Sequence, residues 1–297
     1  MATTSLFDRV RRSEAASGIA LISPTALYAI LLLAAPLATV LIYSVMTDGP
    51  SVGVIWQLNG ENYAKVWTEP IYRAVMLRSL LVSFAVTAVT VLLAYPVAYF
   101  VSFNVPASKK SLWLFLITIP FWTSYVIRVF IWKGIILGYN GVINQVLMGV
   151  GLTSEPLQAI NYNVGAIIIT LAHAYAPFAI LPIFVSLEKI DRSLLEAGLD
   201  LGESRFLTFL RVTLPLSMAG VIAAVMIVFI PTVGDYVTPT LIGGGKVNMI
   251  ANQIQVEMLK QHRMALGSAI AVSAMLIVCV ICLVFLFINR RFLGAQK

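Results

Sequence analysis

Met264 to Asn289 contains no Asp, Glu, Lys or Arg, and the same holds for Ile19 to Met46, Ser79 to Phe103, Val164 to Leu187 and Leu216 to Val233. A helix needs about 20 predominantly apolar residues to cross the hydrocarbon core of a bilayer. In lipid every backbone polar group must be satisfied internally, so uncharged runs of this length fold as helices. Composition agrees. Hydrophobic residues make up 60% of the chain and charged residues 11%, against about 45–50% and 25% in soluble domains. The mean hydropathy is +0.92. A soluble enzyme, a disordered chain and a disulfide scaffold are excluded as first readings. The net charge of +7 points to anionic headgroups rather than nucleic acid, because the basic residues flank apolar segments.

These runs predict an all-α polytopic membrane protein with six transmembrane helices, at about 19–46, 79–103, 112–137, 164–187, 216–233 and 264–289. The third carries Arg128 and Lys133. Pro24, Pro36, Pro96, Pro120, Pro177 and Pro182 fall inside spans, where neighbouring helices and water can re-satisfy the freed carbonyls. The window 134–154 is also uncharged. It holds five glycines together with Tyr139, Asn140, Asn144 and Gln145, and reads as an interfacial loop with at most one short helix. Residues 1–18 form a polar, basic tail before a retained first helix, and 290–297 form a second tail. The first apolar run is too long for a signal-peptide core.

Charge placement sets the orientation. With six spans, one side carries Arg9, Arg11, Arg12, Lys109, Lys110, Lys189, Arg192, Arg205, Arg211, Arg290, Arg291 and Lys297. The other carries Lys65, Arg73, Arg78, Lys246, Lys260 and Arg263. The positive-inside rule places the richer side, with both termini, in the cytoplasm. A seventh span at 134–154 would split the basic clusters.

No catalytic constellation is legible. Gly243-Gly244-Gly245-Lys246-Val247 lacks the upstream Gly and the hydroxyl residue of a phosphate-binding loop. His173 and His262 stand far apart in sequence, and His173 reads as an inter-helix hydrogen-bonding residue. Cys279 and Cys282 read as small apolar side chains rather than a redox or metal pair. The sequence therefore predicts no enzyme activity, no metal and no cofactor of its own, and any uphill transport needs outside energy.

The loop 188–215 between the fourth and fifth spans is not merely polar. Asp191 or Ser193 can cap a helix. Leu194, Leu195, Ala197, Leu199 and Leu201 supply apolar surface, and Gly202 can end the helix in a left-handed conformation. A second short helix carries Phe206, Phe209 and Leu210, and Pro215 can open the fifth span. Such a helix–Gly–helix knob suits docking in a partner's groove, or lying on the headgroups.

Within this loop Glu196-Ala197-Gly198, three residues, Gly202, nine residues, then Val212-Thr213-Leu214-Pro215 resembles the EAA motif of ABC importer permease subunits. The family pattern is E-A-A, three residues, G, nine residues, I-x-L-P. The departures are Gly198 for Ala and Val212 for Ile. Pro120 to Arg128 (Pro-Phe-Trp-Thr-Ser-Tyr-Val-Ile-Arg) and Gly234-Asp235-Tyr236-Val237-Thr238-Pro239 followed by Gly243-Gly244 resemble the third and fifth helices of the B-type spermidine/putrescine permeases. The resemblance covers about residues 80–290.

It implies a type I importer permease fold in a bacterial inner membrane. It also implies a second permease subunit, two ATP-binding subunits that hold the ATP and Mg, and a periplasmic substrate-binding protein. Glu196 would pair with a basic residue of the ATPase, Ala197 and Gly198 would permit close approach, Gly202 would make the turn, and Leu214 and Pro215 would complete the motif. Trp122, Tyr125, Arg128, Asp235 and Tyr236 are the candidates for the translocation path. Ionisable groups at membrane depth face cavities or bundle interiors, and aromatic faces suit a passing cation. Interfacial belts and snorkelling account for the same residues otherwise. The expected substrate is putrescine, spermidine or a related small organic solute, with an opine or amino-acid derivative as the alternative. A self-sufficient secondary transporter and a membrane-embedded enzyme are the rivals, and neither requires the 196–215 pattern.

Overall fold

The computed structural model describes residues 14–50, 53–138 and 140–294. Its elements in chain order are α1 (Glu14–Ser44), β1 (Thr47–Asp48), β2 (Val54–Ile55), α2 (Glu61–Thr68), α3 (Pro70–Phe103), α4 (Ala107–Thr118), α5 (Tyr125–Ile136), α6 (Val142–Gly149) and α7 (Val164–Glu188). Then follow α8 (Arg192–Asp200), α9 (Arg205–Thr208), α10 (Leu214–Val233), α11 (Val237–Leu241), α12 (Ile250–Gln255), α13 (Met264–Ile288) and α14 (Arg290–Gly294). β1 and β2 pair as a two-stranded antiparallel ribbon, Thr47 opposite Ile55.

α3, α7 and α10 pack together as the core of the bundle, around fully buried Val86, Ile167, Leu171, Ile183, Leu187 and Val228. Lipid tails are as apolar as leucine, so close packing of small residues and interhelical hydrogen bonds must hold such helices together. Gly220 of α10 supplies this contact. A Cβ there would lie 2.5 Å from the Pro182 carbonyl oxygen and 2.5 Å from Ser186 Cβ of α7. The Gly220 amide also reaches Ser186 Oγ at 3.3 Å, and the Tyr95 and Ser217 hydroxyls join α3 to α10 at 2.7 Å. α1 leans on α13 and leaves most of its apolar residues exposed. Asp48 fixes that pair from the hairpin, its carboxylate accepting from the amides of Ala265 at 2.6 Å and Leu266 at 3.3 Å.

Several boundaries differ from those expected. α1 is helical from the first described residue, Glu14, and its stretch apolar enough to cross a membrane runs from Gly18 to Ser44. Residues 1–13 and 295–297, with Arg9, Arg11, Arg12 and Lys297, lie outside the described residues, as does Tyr139. α3 starts at Pro70 rather than 79, with Arg73 and Arg78 in its first turns. Pro at the first helical position needs no amide partner, and long basic side chains reach from a helix end to the interface.

The expected single helix over 112–137 is two helices, α4 and α5, meeting at 88°. Pro120 sits in a 3-10 turn, Ile119–Trp122, and Thr123 is extended. The Pro120 carbonyl takes both the Thr123 amide at 3.3 Å and the Thr123 hydroxyl at 2.8 Å. Pro has no amide to continue a helix, and the Thr side chain completes the stop. The window 134–154 holds the short helix α6. α7, α10 and α13 cover the remaining spans, beginning at Val164, Leu214 and Met264. Among the described residues five helices are long and apolar enough to cross a membrane, or six with the bent pair as one span.

A buried carboxylate lies near the start of α13. Glu257, in a widened π turn after α12, is 2% exposed. It accepts from Tyr72 Oη at 3.2 Å and Gln253 Nε2 at 2.8 Å, and faces Arg263 Nη1 at 3.5 Å. These contacts tie the start of α3 to the turn before α13.

Candidate functional site

The segment from Glu188 to Thr213 forms a two-helix knob between α7 and α10. α8 begins at Asp191, whose carboxylate accepts the Ser193 amide at 3.0 Å. Hydrogen bonding by that amide holds the Asp191 carboxyl below its usual range. α8 ends in a Schellman turn. Gly202 has φ +82°, its amide bonds the Leu199 carbonyl at 2.9 Å, and the Glu203 amide bonds the Gly198 carbonyl at 3.1 Å. A left-handed residue at this position favours glycine, which carries no Cβ penalty. α9 begins at Ser204, which accepts the Leu207 amide at 3.3 Å.

Glu196 and Ala197 are exposed on α8, whereas Gly198 is buried. The close approach that Gly198 permits is within this chain, because a Cβ on it would lie 3.1 Å from Thr208 Cγ2 and 3.3 Å from Thr208 Oγ1. Pro215 lies in the first turn of α10, yet the winding does not start afresh there. The helix is continuous from Arg205 to Val233, with a π turn at Phe209–Thr213 just before it. A proline ring inside a helix clashes with the carbonyl four residues back, and the widened turn accommodates it. Leu214 is half-buried and Pro215 exposed.

The base of the knob is pinned. Glu188 accepts from Lys110 Nζ and Ser102 Oγ, each at 2.6 Å. Arg192 donates to the Ser102 carbonyl at 3.0 Å and lies over the Phe103 ring. A pocket of about 310 Å³ remains between the knob and the end of α3, lined by Tyr99, Phe103, Leu195, Leu199, Arg205 and Phe209 among others. Single sequence positions gave no sign of these ties. Lys110 and Glu188 are far apart in the chain and pair only once α4 and α7 meet.

The other candidates gather near the 88° break. The Tyr125 hydroxyl and Thr238 Oγ1 are 2.7 Å apart, beside the Asp235 carboxylate. Asp235 is 7% exposed, and its oxygens accept the Val237 amide at 3.1 Å and the Thr238 amide at 3.3 Å. Its carboxylate therefore starts α11. Arg128 donates to the Ala174 carbonyl at 3.1 Å, with its guanidinium 5.9 Å from the Tyr125 ring centre. Trp122 is 83% exposed and Tyr236 is exposed too, while the Tyr236 carbonyl accepts from Asn252.

Three aromatics join this group. Phe121 meets Phe178 edge-on with centroids 4.3 Å apart, and Tyr175 lies 6.3 Å from Tyr125 and 5.8 Å from Phe178. Tyr175 and Phe178 were not singled out from sequence. Their signal was an i, i+3 aromatic pair bracketing Pro177. His173 accepts from Trp132 Nε1 at 3.0 Å, an inter-helix bond. Cys279 is exposed, Cys282 buried, and neither is bonded. Among the described residues no group of three or more potential metal ligands exists.

Comparison with known proteins defines the context. Residues 27–293 match the family described as binding-protein-dependent transport system inner membrane component. The spermidine/putrescine transport system permease protein PotB of Haemophilus influenzae is 34% identical over 86% of this chain and 88% of its own length. PotB of Escherichia coli K12 is 34% identical over 80% of this chain and 84% of its own. A bacterial ABC transporter importing the acidic polysaccharide alginate shares the fold, with TM-score 0.74 over 97% of this chain and 98% of that one, at 16% identity. The knob between the fourth and fifth long helices, the fold and these matched lengths place the chain in the PotB family of ABC importer permeases, transport subunits that depend on separate ATPase subunits.

Proposed function

We propose that this chain forms half of the translocation path of an ATP-driven importer for a polyamine such as putrescine or spermidine. α8 is its coupling helix. The observation that carries this reading is the form of the knob. It presents Glu196 and Ala197 outward on a helix closed at both ends, and its base is clamped to α3 and α4 by Glu188 and Arg192. A clamped helix passes a push to the bundle rather than bending under it.

The remaining assembly follows from the family. A second permease encloses the path with this one. Two ATP-binding subunits dock on the coupling helices from the cytoplasm, where both termini also lie. A periplasmic binding protein delivers the substrate. Closure of the ATPase dimer moves two packed states past each other, which is alternating access. Polyamine transport is named for the relatives, and the aromatic group of Phe121, Tyr125, Tyr175 and Phe178 supports it, since ring faces attract ammonium groups. Trp122 adds an exposed ring at the break, and Tyr236, next to Asp235 in the chain, is exposed as well. Arg128 is turned to the Ala174 carbonyl, which limits its repulsion of a cation.

The test is Glu196→Lys in the assembled importer. Losing one partner of an interfacial charge pair costs about 2–5 kcal/mol, so ATPase association should weaken at least about 30-fold while membrane insertion persists. Normal uptake by this variant would refute the coupling role. Asp235→Asn keeps a competent helix cap and removes the charge. Unchanged uptake kinetics would take Asp235 out of the path.

A further inference from the structure

α3, α10 and α13 enclose an apolar groove of about 420 Å³, lined by Phe84, Ala88, Met226, Phe229, Cys282 and Phe285 among others. On the same stretch of α13 Val280, Leu283 and Val284 are exposed. Along α3 it runs from Phe84 to Leu92, about 12 Å of helix. At its lower end α13 continues past Phe285 to α14, which packs back against α10. α14 opens with Arg290 and Arg291, both exposed. Arg290 follows Phe285 by five positions, about 7.5 Å along a helix. Groove and basic step together span about 20 Å, the depth of one leaflet with its headgroups, half of a bilayer about 40–45 Å thick.

We infer that this groove holds one acyl chain of an anionic phospholipid, whose phosphate is met by Arg290 and Arg291. Three observations favour a lipid over another helix. The wall contains no acidic residue, and the first charged side chains that follow Phe285 along the chain are the cationic Arg290 and Arg291. Bulky rings (Phe84, Phe229 and Phe285) line it, with Phe84 and Phe229 4.7 Å apart. Helices in membranes meet instead through small residues, as α7 and α10 do at Gly220. Finally, the arginines are not engaged in salt bridges among the described residues, and each guanidinium lies over a neighbouring ring, Phe287 or Phe292. Placement in the inner leaflet rests on the orientation proposed above, whereas occupancy of the groove does not.

The experiment is native mass spectrometry of the full chain, purified with its co-expressed partners in mild detergent. It is titrated with phosphatidylglycerol or with phosphatidylcholine of the same acyl chains. Detergent removes sidedness, so the result reads the groove whichever way α14 faces. The wild type should hold one phosphatidylglycerol more tightly than phosphatidylcholine. R290Q/R291Q should cut the phosphatidylglycerol affinity by roughly 30-fold and leave phosphatidylcholine unchanged, at about 1 kcal/mol for each arginine. Ala88→Trp, at an exposed position inside the groove, should abolish the tight adduct of either lipid without loss of the complex. Equal binding of the two lipids by the wild type would overturn the inference. So would an undiminished adduct in Ala88→Trp, or loss of the second permease from that variant with the adduct retained.

Discussion

Gly198 stands where the family's pattern has alanine, and the geometry around it gives a reason that a double-mutant cycle can test. In the middle of a helix Ala is better than Gly by about 1 kcal/mol. Here the added methyl would lie 3.1 Å from Thr208 Cγ2, closer than ordinary van der Waals contact, and the Thr208 hydroxyl is held by the Ser204 carbonyl at 3.2 Å. Overpacking of this kind costs about 1–3 kcal/mol. Gly198→Ala alone should therefore leave the end of α8 unchanged or loosen it. Thr208→Ala removes both atoms that the methyl would meet, so on that background the helix-forming gain should appear in full. The assay is hydrogen exchange at the Gly202 and Glu203 amides, which close the Schellman turn. On the Thr208→Ala background Gly198→Ala should slow their exchange about fivefold, the equivalent of about 1 kcal/mol. On the native background it should not slow them. Slowing by the same factor in both backgrounds, within about 0.5 kcal/mol of additivity, would mean that Thr208 is not the obstacle and that the packing argument fails.

Gly220→Ala should destabilise the bundle by about 1–3 kcal/mol or more, as overpacking does, because its Cβ would collide with the α7 backbone; Gly234→Ala, whose nearest neighbour is 3.7 Å away, is the control in a detergent thermal-stability assay. Asp48→Ala should cost about 1–2 kcal/mol by uncapping α13, seen as faster proteolysis between α1 and α2; Asp48→Asn should recover most of it. The Asp191 carboxyl is held below its ordinary range, so its contribution is present above the unfolded value of about 3.9 and is lost as pH falls through the lower folded value. Protection of the Ser193 amide should accordingly be flat from neutral pH to about 4 and vanish below the folded pKa, whereas protection fading already near pH 6 would show that another group controls the cap.

Charge gaps along the sequence located the long helices because desolvating a charge at membrane depth is the largest penalty available to the chain. The same measure misplaced the start of α3. It registers the hydrocarbon crossing, while the helix itself continues to Pro70 through Arg73 and Arg78. The break between α4 and α5 was hidden for a related reason. Proline inside a membrane helix is often tolerated, and Pro120 acts as a stop through its alliance with Thr123. Periodicity on a helix does not reveal such a local bond. The knob was legible from cap residues at fixed spacing, down to Asp191 and Gly202, because caps are short-range. Contacts that join distant segments left no local trace. Glu188 with Lys110, Glu257 with Tyr72 and Asp48 with the start of α13 need the fold itself.

Gly220 brings α7 and α10 backbone to backbone only a few turns from the two ends of the knob. The stalks beneath the knob are thus fused at a fixed point rather than joined by pliable side chains. Sliding of one stalk along the other would drive the α7 backbone into larger neighbours of Gly220, so a displacement at either end favours turning both together. Enlarging this one glycine would therefore do more than weaken a contact: it would insert play into the linkage, so that motion at one end no longer dictated motion at the other.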